Sequence, residues 1–161
     1  MKIILNETQY KKLIKRLINE SLDIDWGSKK VRKRVGHSDI LYLSPKKILE
    51  RVGMDMPDFD IRKQDVRIGD RLGKAKEFLR NVIENPEYNT VEATNVYLEW
   101  WTWGMNGERI EFDEPKMGIS DGRHRLLAAY ELGIDSFPIE IFSMSEEEQE
   151  KNKEYLEQNF K

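Results

Sequence analysis

Apolar residues recur along this chain at helical spacing in some segments and in shorter β-prone runs in others. Steps of three or four positions, together with cap and stop signals, predict helices. Pro45 and Gly53 bracket one of them, and Ser145 with Glu148 forms a capping box before the last. The predicted helices cover five segments: residues 6–22, 45–52, 70–83, 123–132 and 145–159.

Strand-like runs lie between these helices. They are short, and several alternate or are rich in β-branched and aromatic residues: residues 1–5, 41–43, 91–103, 109–112, 117–119 and 137–142. Residues 91–103 are read as one strand or hairpin arm that a turn at 104–107 joins to a returning arm, whereas residues 54–69 predict a long surface loop. The pattern predicts a small α+β fold in which helices pack on a mixed sheet.

A segment without sustained periodicity, residues 23–38, interrupts the pattern and is read as a linker. The chain would then divide into an N-terminal strand–helix arm with a basic linker, residues 1–38, and a domain of residues 39–161. The arm either packs on the domain or docks a partner. The linker is either a solvated connector or a contact to nucleic acid through its basic run of Lys29, Lys30, Arg32, Lys33 and Arg34.

Composition narrows the classes of function. The 161-residue chain has no cysteine, which excludes disulfides, thiolate nucleophiles and cysteine-ligated metals. A net charge of −3 argues against a generally basic nucleic-acid-binding surface. No apolar run approaches the roughly 20 residues of a membrane span, so we expect a soluble cytoplasmic protein with no membrane partner.

Four tryptophans are present, and Trp100, Trp101 and Trp103 fall in one predicted strand. Their rings either pack in the core or form a platform on which nucleic-acid bases stack. Since consecutive strand residues face opposite ways, one of Trp100 and Trp101 must point outward or cover a loop.

The clearest chemical signal is a predicted strand, turn and helix in which cations open the helix. Helix N-termini attract anions and disfavour cations, so arginines at this position break a local rule, as functional sites often do. Arg123 and Arg125 can each fork onto phosphate oxygens, and His124 can donate to phosphate or shuttle a proton. Asp121 either holds a Mg²⁺ ion or caps the helix. The expected phosphate-binding residues are Ser120, Gly122, Arg123, His124 and Arg125.

These residues also carry a family resemblance. The segment Gly118-Ile119-Ser120-Asp121-Gly122-Arg123-His124-Arg125, its small-residue helix up to Gly133, and the strand around Phe137-Pro138-Ile139 resemble the signature of the ParB/sulfiredoxin-like superfamily. The resemblance implies that fold, with nucleotide phosphates at the turn and Lys74 on a helix that helps to line the site. Sulfiredoxin activity is excluded without cysteine, and a partition role is in doubt because the partner-binding region and the DNA-binding domain of ParB are missing. The N-terminal arm resembles openings common in bacteriophage-encoded proteins.

Three functions follow from these expectations. The first is a nucleotide-dependent enzyme using ATP or CTP and Mg²⁺, either a nucleoside triphosphatase, a phosphotransferase (kinase) or a nuclease, with Asp121, His124 and Arg125 as catalytic residues. The second is a module that binds DNA or other nucleic acid. The third is a catalytically silent viral protein that docks a host protein through its arm and acidic C-terminal helix.

Overall fold

A computed structural model of the chain describes residues 24–34, 38–55 and 70–161. The predicted N-terminal strand and helix, and residues 56–69 of the predicted surface loop, lie outside the described residues. Within the described part the fold is α+β, as the sequence predicts, with two small sheets and four α-helices.

The main sheet is mixed and has four strands in the order β2-β6-β4-β5. The central pair β6 and β4 is parallel, whereas the two outer pairs, β2–β6 and β4–β5, are antiparallel. A second, two-stranded parallel sheet pairs β1 with β3. The six strands are β1 (Lys30–Arg32), β2 (Asp39–Leu43), β3 (Thr90–Glu92), β4 (Thr94–Trp103), β5 (Arg109–Asp121) and β6 (Phe137–Ile141).

The four predicted helices that fall in the described part are all present: α1 (Pro45–Asp55), α2 (Arg71–Glu84), α3 (Arg123–Glu131) and α4 (Glu146–Phe160). Three of them begin at side-chain caps: Ser44 accepts from the amide of Lys47 at 3.4 Å, Asp70 from the amide of Gly73 at 2.7 Å, and Ser145 from the amide of Glu148 at 3.2 Å. Gly53 does not end α1 as predicted, because the helix continues through it to Asp55.

Helix packing encloses one continuous apolar core. Helix α3 contacts both α1 and α2, α1 packs on β5, and α4 covers β2 and β6. All five residues of β6 are buried, so the predicted alternation along residues 137–142 is wrong. The reason is that β6 is an inner strand, paired on both sides and covered by packed elements, so every one of its side chains meets protein.

The long hairpin of β4 and β5 also departs from the sequence prediction. Residues 91–103 form two strands rather than one, since Ala93 separates β3 from β4. The two short strands predicted at 109–112 and 117–119 are parts of the 13-residue β5. Pro115 does not break β5, because β5 is an edge strand and Pro115 lies where the pairing with β4 shifts register.

Residues 24–34 are not the irregular linker that the sequence predicts. Trp26 is 9% exposed; its indole nitrogen donates to the carbonyl of Ser136 at 2.8 Å, and its ring contacts Tyr42 and Phe137. Strand β1 then pairs with β3. This segment is therefore anchored to the core through Ile24 and Trp26, whereas a separate arm over residues 1–22 stays a prediction.

Candidate anion-binding cleft

Two adjoining pockets form a cleft beside the small sheet. One has a volume of about 500 Å³ and the other about 210 Å³, and both are lined by Arg32, Glu92 and Arg125. We call the two together the basic cleft. The larger pocket adds Lys74, Ala75, Phe78 and Thr90, and the smaller adds Lys33, Arg34, Ala93 and Asp121.

Elements far apart in the sequence build the basic cleft. The parallel pairing of β1 with β3 sets Arg32 directly beside Glu92. The first turns of α2 contribute Lys74, and the start of α3 contributes Arg125. The cleft therefore exists only in the folded chain, where these four elements meet.

The basic cleft carries an excess of positive charge. Five of its lining side chains are cationic, namely Arg32, Lys33, Arg34, Lys74 and Arg125, and two are carboxylates, Glu92 and Asp121. The local excess of positive charge is opposite in sign to the net charge of the whole chain, which is −3. Such a concave positive surface attracts anions.

Arg125 is the centre of the hydrogen-bond network in the cleft. Its Nη1 donates to Oε2 of Glu92 at 2.9 Å, while its Nη2 donates to Oδ2 of Asp121 and to the carbonyl of Ala93, each at 3.1 Å. Its buried Nε has no hydrogen-bond partner among the described residues. Arg34 approaches the same Asp121 oxygen to 3.8 Å. The guanidinium thus bridges both carboxylates and keeps one donor unused.

Asp121 does not cap α3, which corrects one of its two predicted roles. It lies in β5, and the N-cap of α3 is Gly122, which makes no side-chain capping hydrogen bond. Gly122 has a φ of +84°, and a Cβ there would lie 2.8 Å from Oγ1 of Thr94. Only glycine allows β5 to turn this tightly into α3.

The residues expected to bind phosphate separate into two groups. Lys74 and Arg125 line the basic cleft, whereas Ser120, Gly122, Arg123 and His124 do not line either of its pockets. The hydroxyl of Ser120 donates to the side-chain oxygen of Asn95, and Nε of Arg123 donates to the carbonyl of Ile119 at 3.1 Å. The roles of these four residues stay predictions.

The basic run 29–34 is also divided. Arg32, Lys33 and Arg34 line the basic cleft. By contrast, the ammonium of Lys29 donates to the carbonyl of Val82 at 2.9 Å, near the end of α2, where a cation also meets the negative end of the helix dipole. Lys30 is exposed and lines neither pocket. Nucleic-acid contacts by this run stay a prediction.

The tryptophans lie away from the basic cleft. Trp100 packs on α4: its indole nitrogen donates to Oδ1 of Asn152 at 2.7 Å, and its ring meets Tyr155 edge to face. Trp101 and Trp103 are 36% and 65% exposed on the hairpin, where they contact each other. One of the Trp100 and Trp101 pair therefore faces outward, as strand geometry predicts.

Sequence reasoning missed three residues of this region. Glu92 pairs with Arg125, Phe78 lines the cleft although its helical spacing predicts a buried position, and Glu140 is fully buried on β6. Only Glu140 carries a local signal, because a charged residue stands between two isoleucines in an apolar strand.

Other features of the described part bear on metals and membranes. Among residues 24–34, 38–55 and 70–161, no three histidine, cysteine, aspartate or glutamate side chains cluster so as to hold a metal ion. None of the described helices has the length and apolar character needed to cross a membrane. No family model, curated protein or solved structure matches this chain.

Proposed function

We propose that this protein binds a nucleotide, either ATP or CTP, in the basic cleft. The observation that carries the proposal is that Arg32, Lys74 and Arg125, from three distant segments, line one pocket of about 500 Å³. Sites for small ligands commonly measure about 300–1,000 Å³. The phosphates would contact the cations of the cleft walls.

The larger pocket also offers an apolar wall. Phe78 is 37% exposed, and Ala75 lies one turn earlier on the same helix. A nucleobase or another planar ring could pack there, since aromatic faces stack on bases. A ligand with a planar ring and a charged phosphate tail would therefore use both parts of the pocket.

The partly exposed guanidinium of Arg125 supports the same proposal. Nε of Arg125 is an unused donor among the described residues, and arginine forks are well suited to phosphate oxygens. A phosphate entering the cleft would compete with Glu92 and Asp121 for Arg125.

Catalysis is a further step of the proposal and rests on the resemblance to ParB/sulfiredoxin-like proteins. The reaction would be nucleoside triphosphate hydrolysis, phosphotransfer or nucleic-acid cleavage, with Asp121, His124 and Arg125 as the candidate catalytic residues. A Mg²⁺ ion at Asp121 would share that carboxylate with Arg125, since Oδ2 already accepts from the guanidinium. The Mg²⁺ requirement therefore needs its own test.

A titration of the full chain tests binding. Calorimetry with ATP and with CTP, each with and without Mg²⁺, is compared with adenosine and cytidine, which lack phosphates. We expect the triphosphates to bind and to raise the melting temperature, because a ligand of the folded state stabilises it. If neither triphosphate binds, with or without Mg²⁺, the proposal is wrong.

Two variants of helix α2 test whether the triphosphate binds in the basic cleft. Lys74→Ala removes a cation of the basic cleft, whereas Arg80→Ala removes an exposed cation from the same helix outside the cleft. We expect Lys74→Ala to weaken triphosphate binding about three- to tenfold and Arg80→Ala to leave it unchanged. Equal losses would place the ligand elsewhere.

Nucleic-acid binding is the second candidate, because Arg32, Lys33 and Arg34 stand together along the same open cleft. Phosphate contacts to a polymer weaken steeply with salt. Retention of an oligonucleotide that falls with salt and is competed by ATP or CTP would favour this candidate. If the protein binds a triphosphate but neither turns it over nor binds an oligonucleotide, the result would instead favour the third function, a catalytically silent protein that docks a host protein.

A further inference from the structure

Glu140 is an ionisable residue in the interior of the main sheet. It lies on β6 opposite Ile40 of β2 and Asn95 of β4, and it is fully buried. Burying a carboxylate is costly unless hydrogen-bond donors compensate it. The donors that meet Glu140 are therefore strongly constrained in position.

One donor to Glu140 is Arg34, in the wall of the basic cleft, and another is Ser38, which begins the next described stretch of the chain. Oε2 of Glu140 accepts from the backbone amide of Arg34 at 2.9 Å, and Oε1 accepts from the hydroxyl of the buried Ser38. The ammonium of Lys33 in turn donates to the carbonyl of Ser38. One buried carboxylate thus fixes two points of the chain and, through Ser38, holds Lys33.

The wall needs such an anchor, because its own sheet is small. Strand β1 has three residues and pairs with a single three-residue strand, β3. Two-stranded pairings of this kind are marginal without further contacts. Arg34 lies two residues after the end of β1, and its guanidinium reaches into the cleft toward Asp121.

We infer that Glu140 is a positioning residue that sets the anion affinity of the basic cleft by holding Arg34 and Lys33 in its wall. The inference rests on the proposed function, because its affinity measurement requires that the basic cleft bind a nucleotide. The carboxylate does not line either pocket and acts only through the chain that it binds.

Two substitutions separate this role from a general structural one. Glu140→Gln keeps the shape and can still accept from the Arg34 amide while its own amide donates to Ser38. Glu140→Met keeps the length but makes neither hydrogen bond. Because Glu140→Met leaves the Arg34 amide and the Ser38 hydroxyl without this acceptor, its stability is measured beside its affinity.

The first measurement needs no ligand. The hydrogen-exchange rate of the Arg34 amide, measured by NMR on the full chain, should be low in the wild type and in Glu140→Gln. It should be at least about tenfold faster in Glu140→Met, since the acceptor is gone. An unchanged exchange rate in Glu140→Met would overturn the inference.

The second measurement uses ATP and CTP as probes. At a temperature well below the melting temperatures of both variants, Glu140→Met should lower triphosphate affinity about tenfold, whereas Glu140→Gln should bind within about threefold of the wild type. In an Arg34→Ala background, the effect of Glu140→Met should shrink, because the two residues act together. An undiminished effect in that background would exclude action through Arg34.

The outcomes distinguish the two proposals. If the wild type binds no triphosphate, the proposed function fails while the exchange measurement still tests the anchor. If the wild type binds and Glu140→Met binds equally well, the positioning role is wrong and the proposed function stands.

Discussion

Arg125 and Asp121 stand four residues apart and form an ion pair across the start of α3, with Nη2 of Arg125 at 3.1 Å from Oδ2 of Asp121. The same guanidinium holds Glu92, so one side chain ties β5 and α3 to β3. The pair is partly shielded, since the Arg125 side chain is 21% exposed. Arg125 is therefore a structural residue of the basic cleft as well as a candidate ligand contact.

Substitution of Arg125 tests that structural role. We expect Arg125→Ala to lower the free energy of unfolding by about 1–3 kcal/mol, because it leaves the carbonyl of Ala93 and two carboxylates without their donor. Urea denaturation measures the loss. The exposed Arg80→Ala is the control and should change stability by about 0.5 kcal/mol or less. A loss no larger than the control's would mean that the network contributes nothing measurable.

Gly122 is the turn from β5 into α3, and two glycines of similar conformation test its packing. Gly122 and Gly107 have φ values of +84° and +79°, but a Cβ meets Thr94 and Arg125 only at Gly122, whereas nothing lies within 4 Å at Gly107. Both alanine variants carry the strain of positive φ, about 1 kcal/mol or more. Gly122→Ala should therefore lose about 1–3 kcal/mol more than Gly107→Ala in urea denaturation. Equal losses would show that the contact with Thr94 relaxes without cost.

The sequence predicts the helices of this fold well because their signals are local. The cap at Asp70, the capping box at Ser145 and Glu148, and the apolar spacing of 72–82 all lie within the helices or next to them. The small residues after Gly122 likewise predict α3. Such signals need no information about the rest of the chain.

The sequence does not predict the structure of residues 24–34, because that structure depends on distant partners. Trp26 donates to Ser136, Lys29 to Val82, and the Arg34 amide to Glu140. A three-residue strand such as β1 has no detectable period, and a run of cations is typical of a solvated connector. Tertiary contacts decide its fold, and these are invisible in the local pattern.

The candidate site was predicted in part. The motif led to Arg125 and Asp121, and the resemblance led to Lys74, all of which line the basic cleft. Arg123 donates to the carbonyl of Ile119 and does not line the basic cleft, whereas Arg125 turns toward Glu92, so a joint phosphate contact of Arg123 and Arg125 stays a prediction. Side-chain directions of this kind depend on acceptors elsewhere in the fold.

Trp26 tests whether residues 24–34 belong to the core. We expect Trp26→Ala to cost about 3–5 kcal/mol, since it removes a buried ring that packs on Tyr42 and Phe137. Trp26→Phe keeps most of the packing and loses the hydrogen bond to Ser136, so its cost should be about 1 kcal/mol. Urea midpoints measure both. If Trp26→Ala unfolds at the wild-type midpoint, the segment is a linker after all.

The hairpin tryptophans differ in burial, and alanine substitutions should separate them. Trp100→Ala removes the hydrogen bond to Asn152 and the ring contact with Tyr155, so we expect a loss of about 2–4 kcal/mol in urea denaturation. Trp103 is 65% exposed, and Trp103→Ala should change stability by about 0.5 kcal/mol or less.

The Trp103→Ala variant also tests the hypothesis that exposed tryptophan rings stack on nucleic-acid bases. If exposed rings stack on bases, Trp103→Ala should weaken oligonucleotide retention at unchanged stability, whereas retention equal to that of the wild type would remove Trp103 from any such platform.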